Sequence, residues 1–514
     1  DTFRMELIWS YVDTEFGEFN NMNAPVPATD PTFTDFDPFG DVTFGPRERF
    51  EFNKVHRYTV DTAWEFNDNW TLYAIGTFED SQRDTDFGGL GFGDAPDETY
   101  TAELRAAFDY GKLSGWIGAY YFDTNGSFSG VFNFTPAIFG FPTIPADGSV
   151  IFDTFQEDET QNTAIFADVT YDIDDKWSVN FGARFDDETF SDTGTTGESS
   201  VGPGGCTIDP IVPGVGGFPC TALFPPTSED VPDADFDAFL PRAGVVYRID
   251  DDRSVSFTVA QGYRAGGSYI YAPPGQPLET RTFDPEHLTN YEFAFRSEWP
   301  NRNITLNANL FYSDWEDQQV TIPGPSGAFF DADILNIGGS ELYGLEVEFR
   351  HTATDTLDWF ATLGWIETEF TNFPFAIDGN GDPINTANPQ FANLAGNEFN
   401  SAPKLNVAFG VAYENPNGFY ASGNASYASS QFSDVQNLGQ NKVGNYVLVN
   451  ARLGYTRDNW RVALFVDNLF DERFAGRKGV YSVTAATGTI DPNAQPFFTV
   501  NDPRVAGVEV RFGF

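Results

Sequence analysis

The 514-residue chain has 2 cysteines, 2 methionines and 3 histidines, and 28 Lys and Arg against 76 Asp and Glu. Each shortage removes a class of protein. The formal charge of -48 repels a phosphate backbone, which excludes nucleic-acid binding and disfavours acidic partners in general. His56, His287 and His351 have no partners at metal-ligand spacing, and no Ser/His pair is placed for nucleophilic work, so the chain reads as no enzyme. No stretch approaches the roughly 18 consecutive apolar residues of a transmembrane helix, and the mean hydropathy is -0.32. A helical membrane protein is therefore excluded.

What the chain has in abundance points elsewhere. Its 49 glycines, 54 phenylalanines, 21 tyrosines and 10 tryptophans supply turns and strand-forming aromatics. Alternation with period 2 recurs along the whole length. Trp177, Val179, Phe181, Ala183 and Phe185 interleave with Ser178, Asn180, Gly182, Arg184 and Asp186. The segments from Tyr100 to Asp109 and from Ile304 to Ser313 repeat the pattern. Successive strand side chains point to opposite faces, so one face suits lipid and the other a wet interior. In the last segment Ala506, Val508, Val510, Phe512 and Phe514 share one face, and Gly507, Glu509, Arg511 and Gly513 the other.

Eighteen such segments lie near residues 3–18, 48–66, 70–83, 98–110, 113–123, 160–173, 176–190, 236–249, 254–265, 286–299, 302–318, 341–352, 356–371, 403–414, 418–431, 445–456, 459–467 and 503–514. Their connections alternate between two classes. Short ones carry turn chemistry, as in Asn67-Asp68-Asn69, Tyr110-Gly111-Lys112, Asp174-Asp175, Asp250-Asp251-Asp252 and Asn415-Pro416-Asn417-Gly418. Long ones fill every other gap, including 124–159, 191–235 and 468–502. This rhythm predicts an all-β fold, an antiparallel up-and-down transmembrane β-barrel with short periplasmic turns and long outer loops. A string of β-sandwiches also alternates apolar and polar residues, but joins its strands by connections of mixed length.

Cys206 and Cys220 fall in a Gly/Pro-rich outer loop with no nearby His, where a disulfide in an oxidising compartment is expected. Closing about 15 residues would remove roughly 3 kcal/mol of denatured-state entropy in the chain-entropy view. The chain opens on a strand at Asp1-Thr2-Phe3-Arg4 with no signal peptide, and reads as a mature form or a fragment.

Four stretches and the ending share a further likeness. They are Gln261 to Gly267 (QGYRAGG), Pro285 to Glu292 (PEHLTNYE), Asn336 to Glu346 (NIGGSELYGLE), Val466 to Phe474 (VDNLFDERF), and Asp502-Pro503-Arg504 through Phe514. In these pieces and their order, the chain from about residue 255 onward resembles the TonB-dependent receptors, the energised outer-membrane transporters of Gram-negative bacteria. The first half matches by architecture more than by motif. The resemblance implies about 22 strands around a lumen closed by an N-terminal plug. The expectation is thus that residues 1–514 are a barrel domain whose plug and first four strands lie outside this chain.

The resemblance further implies a multi-pass protein of the cell outer membrane that imports a scarce ligand. A ferric siderophore is the first expectation; a carbohydrate or other nutrient is the alternative within the family, and a passive 18-stranded substrate-specific porin is the competing class. Implied partners are the TonB-ExbB-ExbD complex through the preceding region, a small-molecule ligand, outer-membrane lipid and lipopolysaccharide. The barrel-assembly machinery would read the terminal aromatics Phe512 and Phe514.

Candidate ligand contacts are Arg264, Tyr269 and Tyr271, which should face the outer vestibule. Inward Arg105, Arg184, Arg452, Arg461 and Arg511 should pair with lumen or plug carboxylates. Residues 266–285 contain no His, which weakens haem as cargo. Asp378-Gly379-Asn380-Gly381-Asp382 has the spaced oxygen donors of Asp378, Asn380 and Asp382 that begin calcium loops, but lacks the later Glu. Structural calcium or an acidic Gly turn both account for it. No other cofactor is expected.

Overall fold

The computed structural model describes residues 2–18, 22–23, 49–86, 91–134, 149–201, 221–231, 233–271, 279–323, 332–372, 394–435, 437, 439–480, 483–484, 489–490 and 496–513. Among the described residues, eighteen strands form a wall to which one further strand is appended. In chain order they are β1 (Thr2–Glu18), β2 (Arg49–Asn67), β3 (Trp70–Asp86), β4 (Gly91–Asp109), β5 (Leu113–Phe134) and β6 (Ser149–Asp172). Next come β7 (Trp177–Val201), β8 (Ala234–Asp250), β9 (Arg253–Arg264), β10 (Glu286–Trp299), β11 (Ile304–Pro323) and β12 (Ala332–Thr354). The last six are β13 (Leu357–Asn372), β14 (Leu405–Glu414), β15 (Phe419–Ala428), β16 (Tyr446–Arg457), β17 (Trp460–Asp467) and β18 (Val505–Phe512). Each pairs antiparallel with its sequence neighbours, from β1 against β2 to β17 against β18. Among the described residues no register joins β1 to β18.

The turns form where the sequence places carboxamides and carboxylates. Asn67 Oδ1 accepts the N–H groups of Asn69 and Trp70 at 2.9 and 3.0 Å, and Asp174 Oδ1 accepts those of Lys176 and Trp177 at 2.8 and 2.9 Å. These side chains satisfy backbone donors that a two-residue reversal leaves open. Asp174 is held below the usual carboxylate range by the same two backbone bonds.

Aromatic rings mark the membrane boundary beside those turns. Trp70 packs on Phe108 at 5.1 Å, Trp177 on Tyr247 at 4.6 Å, Phe349 on Trp359 at 4.7 Å and Trp460 on Phe512 at 4.7 Å. A second set stands higher: Tyr58, Phe78 and Tyr100 in a row, Tyr291 on Tyr312, and Tyr343 on Trp365. Eight residues separate Trp70 from Phe78, which at strand rise and barrel tilt is about 20 Å, close to the apolar height of an outer-membrane wall. Between the two rings of aromatics, Leu104, Ile165, Phe181, Leu310 and Val508 are exposed. Side chains of this kind facing outward are the lipid-facing half of the alternation.

The inner face carries the other half. Arg184 meets Asp186 at 2.7 Å, Arg57 bonds Glu79 through Nε at 2.6 Å, and Arg452 reaches Glu509 at 3.2 Å. Five inward glycines each sit directly opposite an aromatic ring: Gly118 with Phe166, Gly344 with Phe311, Gly410 with Phe360, Gly454 with Tyr420 and Gly507 with Phe465. A Cβ on Gly410 would lie 2.2 Å from the Phe360 ring, and one on Gly454 2.3 Å from Tyr420. The rings therefore lie flat over the glycines and cover backbone that glycine would leave bare.

The structure bears out the eighteen segments and the short turns, and corrects several strand ends. β4 begins at Gly91, β5 runs to Phe134, β6 starts at Ser149 and β7 reaches Val201. Much of the expected loops 124–159 and 191–235 is thus tall ribbon. A paired ladder tolerates glycines such as Gly126 where neighbouring side chains fill the space. A further strand, Thr221–Asp230, pairs with the outer extension of β7.

Candidate ligand vestibule

Three of the sequence stretches singled out above meet at the outer rim of β9, β10, β11 and β12. Arg264, at the top of β9, grips Glu286 of β10 with Nε to Oε1 at 2.9 Å and Nη2 to Oε2 at 3.0 Å. Glu286 is buried and also accepts the Gln319 N–H at 2.5 Å. Gln319 Nε2 then donates to the Ala265 and Asp284 carbonyls at 2.7 and 3.1 Å. Asn336 closes the set by accepting the Asp284 N–H and donating to the Asp284 and Asp317 carbonyls, at 2.7, 2.7 and 2.9 Å. The result is a cross-braced rim that fixes the base of the hairpin Gly267–Tyr271 and Glu279–Phe283.

Arg264 spends much of its hydrogen-bonding capacity on this brace, although its side chain remains 59% exposed. Tyr269 lies against Phe283 at 6.2 Å, and its hydroxyl accepts the Ile334 N–H at 2.9 Å. Tyr271 pairs through its backbone with Glu279. The fold therefore brings Arg264 and the hairpin of Tyr269 and Tyr271 to one end of the barrel, with Arg264 and Tyr269 also holding that end together. The Cys206–Cys220 pair, the Asp378, Asn380 and Asp382 loop, and Phe514 lie outside the described residues. Phe512 sits on the lipid side against Trp460.

A second clasp explains the stretch Val466 to Phe474. Asn468 is buried with a positive φ of 51°. Its Oδ1 accepts the Glu472 N–H at 2.7 Å, and its Nδ2 donates to the Glu472 and Asp502 carbonyls at 2.8 and 3.2 Å. Asn501 repeats the device, accepting the Phe474 N–H and donating to the Glu472 carbonyl, both at 2.9 Å. The last long connection is thus tied at both ends to the wall. Asparagine suits the place because it tolerates the left-handed region and offers both donor and acceptor.

Of the expected inward arginines, Arg105, Arg184, Arg452 and Arg511 meet wall carboxylates, whereas Arg461 packs on a tyrosine ring. Arg105 stands 3.8 Å from Glu103, Arg511 is paired with Glu509, and Arg461 lies 4.2 Å over the Tyr420 ring. Sequence reasoning missed the inner wall of β6 and β7. There Asn162 Nδ2 donates to Glu188 Oε2 at 2.9 Å, and the Tyr263 hydroxyl donates to the same oxygen at 3.4 Å. Its signal was present as period-2 polar residues on a strand, but nothing in one strand says which polar side chains will meet across the sheet. Lower in the lumen a hollow of about 650 Å³ is lined by Arg350, Asp358, Phe360, Asn424 and Arg452 among others.

Strands of this height, with aromatic boundaries, an apolar outer band and a charged interior, define a membrane-spanning β-barrel. The chain belongs to the TonB-dependent receptor-like β-barrel family, whose profile matches residues 8–469. Receptors of this family are outer-membrane β-barrel proteins. The pesticin receptor of Yersinia pestis is 25% identical over 334 residues, covering 65% of this chain and 42% of that protein. The ferric-pyoverdine M114 receptor PbuA of Pseudomonas sp. (strain M114) is 24% identical over 237 residues, 46% of this chain and 26% of that protein. The chain thus spans less than half the length of these curated relatives. In fold it is similar to the ferric yersiniabactin uptake receptor FyuA from Yersinia pestis, with TM-score 0.72, 19% identity, and coverage of 100% of this chain and 68% of that one. The ferric-catecholate import receptor Fiu from K12 E. coli, in its closed form, gives TM-score 0.64 at 15% identity, covering 98% and 72%.

Proposed function

We propose that this chain is the barrel of an outer-membrane importer that takes up a ferric siderophore with energy supplied by the TonB-ExbB-ExbD complex. The observation that carries the reading is family membership over residues 8–469, joined to relatives named for ferric yersiniabactin, ferric catecholate and ferric pyoverdine. The braced rim supports it, because a vestibule that selects a chelate needs positioned side chains at its mouth.

The wall bears on the competing porin reading. Among the described residues β1 and β18 each pair on one side only, and unpaired backbone donors and acceptors cannot face hydrocarbon without a cost of several kcal/mol each. The chain covers 68% of the FyuA receptor, which supports assigning the remaining strands, the lumen plug and the TonB-contacting segment of the importer to sequence outside this chain. A passive porin instead needs β1 and β18 to pair directly. The test is radio-iron uptake by an iron-starved, receptor-deficient Gram-negative host expressing the full receptor. Uptake that depends on the receptor supports the reading, and none with any ferric chelate refutes it.

A further inference from the structure

Above the outer aromatic ring, β4, β5, β6 and β7 place Asp97, Gly126, Asp158 and Asp192 side by side in one cross-strand row. The row shares the face of Arg105, Arg184 and Asp186, which is the inside of the barrel, so it lines the wall of the outer vestibule. Gly126 is the key to its shape. A Cβ at that position would lie 2.9 Å from Asp97 Oδ1 and 3.2 and 3.4 Å from the two Asp158 carboxylate oxygens. Two carboxylates therefore lean into one notch that glycine alone leaves open.

Asp192 gives an independent sign that a donor belongs here. It is 5% exposed, its Oδ2 accepts Gln156 Nε2 at 3.0 Å, and its Oδ1 is buried without a partner. A buried acceptor left unmade costs free energy that an arriving donor recovers. Lower on the same face the Oδ1 atoms of Asn162 and Asn180 are likewise buried and unpartnered, and all three are acceptors. The charged neighbours facing Asp97 are Arg83 and Glu79 of β3, and Thr124 bonds its carboxylate. None of Asp97, Asp158 and Asp192 forms an ion pair among the described residues.

The size of the occupant follows from the spacing. Among the described residues no three acidic or histidine side chains converge closely enough to hold a metal ion. A row spread over four strands suits an organic cation, whose N–H groups can reach successive carboxylates with charge-assisted hydrogen bonds. The chain's net charge of -48 adds a field that draws cations toward the mouth.

We propose that the Asp97, Asp158 and Asp192 row binds an ammonium-bearing organic cation at the vestibule wall, and that cargo is recognised there through a protonated amine. The inference rests on reading the chain as an importer, since it names the chemistry of what enters. The probe is spermidine, titrated calorimetrically into the full receptor in detergent at pH 7.5 and low salt. Saturable binding is expected, weakened at least tenfold in D158N and in D192N, and unchanged in E369Q, which alters a carboxylate of β13 on the opposite, outward face. The D158N and D192N variants should keep the heat-modifiable gel mobility of a folded barrel. Absence of saturable spermidine binding overturns the proposal, as does equal binding by D158N and D192N. Calcium binding at this row with no spermidine competition would also overturn it, by making the row a metal site. If spermidine binds as expected while receptor-dependent iron uptake is absent, the importer reading fails and the cation site stands.

Discussion

Replacing Asn468 with alanine removes the side chain that ties the last long connection to the wall. The Glu472 N–H and the Glu472 and Asp502 carbonyls each lose their bond to it, at 2.7, 2.8 and 3.2 Å. At about 1 kcal/mol per net hydrogen bond the loss is about 3 kcal/mol. Alanine at the observed φ of 51° adds about 1 kcal/mol, because it lacks the short polar side chain whose local hydrogen bonding lets asparagine tolerate the left-handed region. The full effect is thus about 4 kcal/mol, concentrated where β18 enters the sheet. N468D keeps the acceptor and the backbone preference but loses both donors and sets a buried carboxylate against the Glu472 and Asp502 carbonyls, so it should cost at least as much as N468A; N468G should recover only the backbone part. The assay is the temperature at which folded, fast-migrating receptor converts to the unfolded band on a semi-native gel, with denaturant midpoints in detergent for comparison. N468A matching the wild type in both would refute the view that Asn468 holds this connection.

Three other expectations follow from the geometry. G410A pushes a Cβ into the Phe360 ring, so it should destabilise by about 1 to 3 kcal/mol, and the double variant G410A/F360A should cost clearly less than the two single changes added; strict additivity in denaturant midpoints would show that ring and glycine do not interact. Burial, reinforced by Asp158, pushes the Asp192 carboxyl up to about 6. The folded protein then keeps a proton that the unfolded chain has already lost, so this group's contribution to stability declines as pH rises from about 4 to 6, and D192N should abolish that component of a pH-stability profile. R264A strands the buried Glu286 carboxylate, at a local cost of about 3 kcal/mol or more, and should open the hairpin 267–283 to protease; E286Q should be milder, and equal protection of R264A and wild type would contradict the brace.

The architecture was legible because it rests on a rule that each strand obeys alone. Lipid on one side and water on the other force an alternation that Trp177 to Asp186 displays without help from any neighbour. The turns were legible for the same local reason, as Asn67 and Asp174 show. What could not be read was whatever depends on register. Gly410 and Phe360 are 50 positions apart in number and direct partners in the sheet, and nothing local to either marks the pair. The acidic row is the same case, since Asp97, Asp158 and Asp192 each look like solvated loop carboxylates until the strands are aligned. Arg264 is a candidate ligand contact by its place at the expected vestibule, and its grip on Glu286 is visible only when Pro285 to Glu292 is set beside it.

The central claim is that this barrel belongs to an energised importer of ferric siderophore. It is tested most directly by radio-iron uptake from ferric siderophores in paired host strains, with and without TonB, each expressing the full receptor. Uptake that requires both receptor and TonB is the predicted result. Uptake that persists at the same rate without TonB would contradict the account and favour a passive channel.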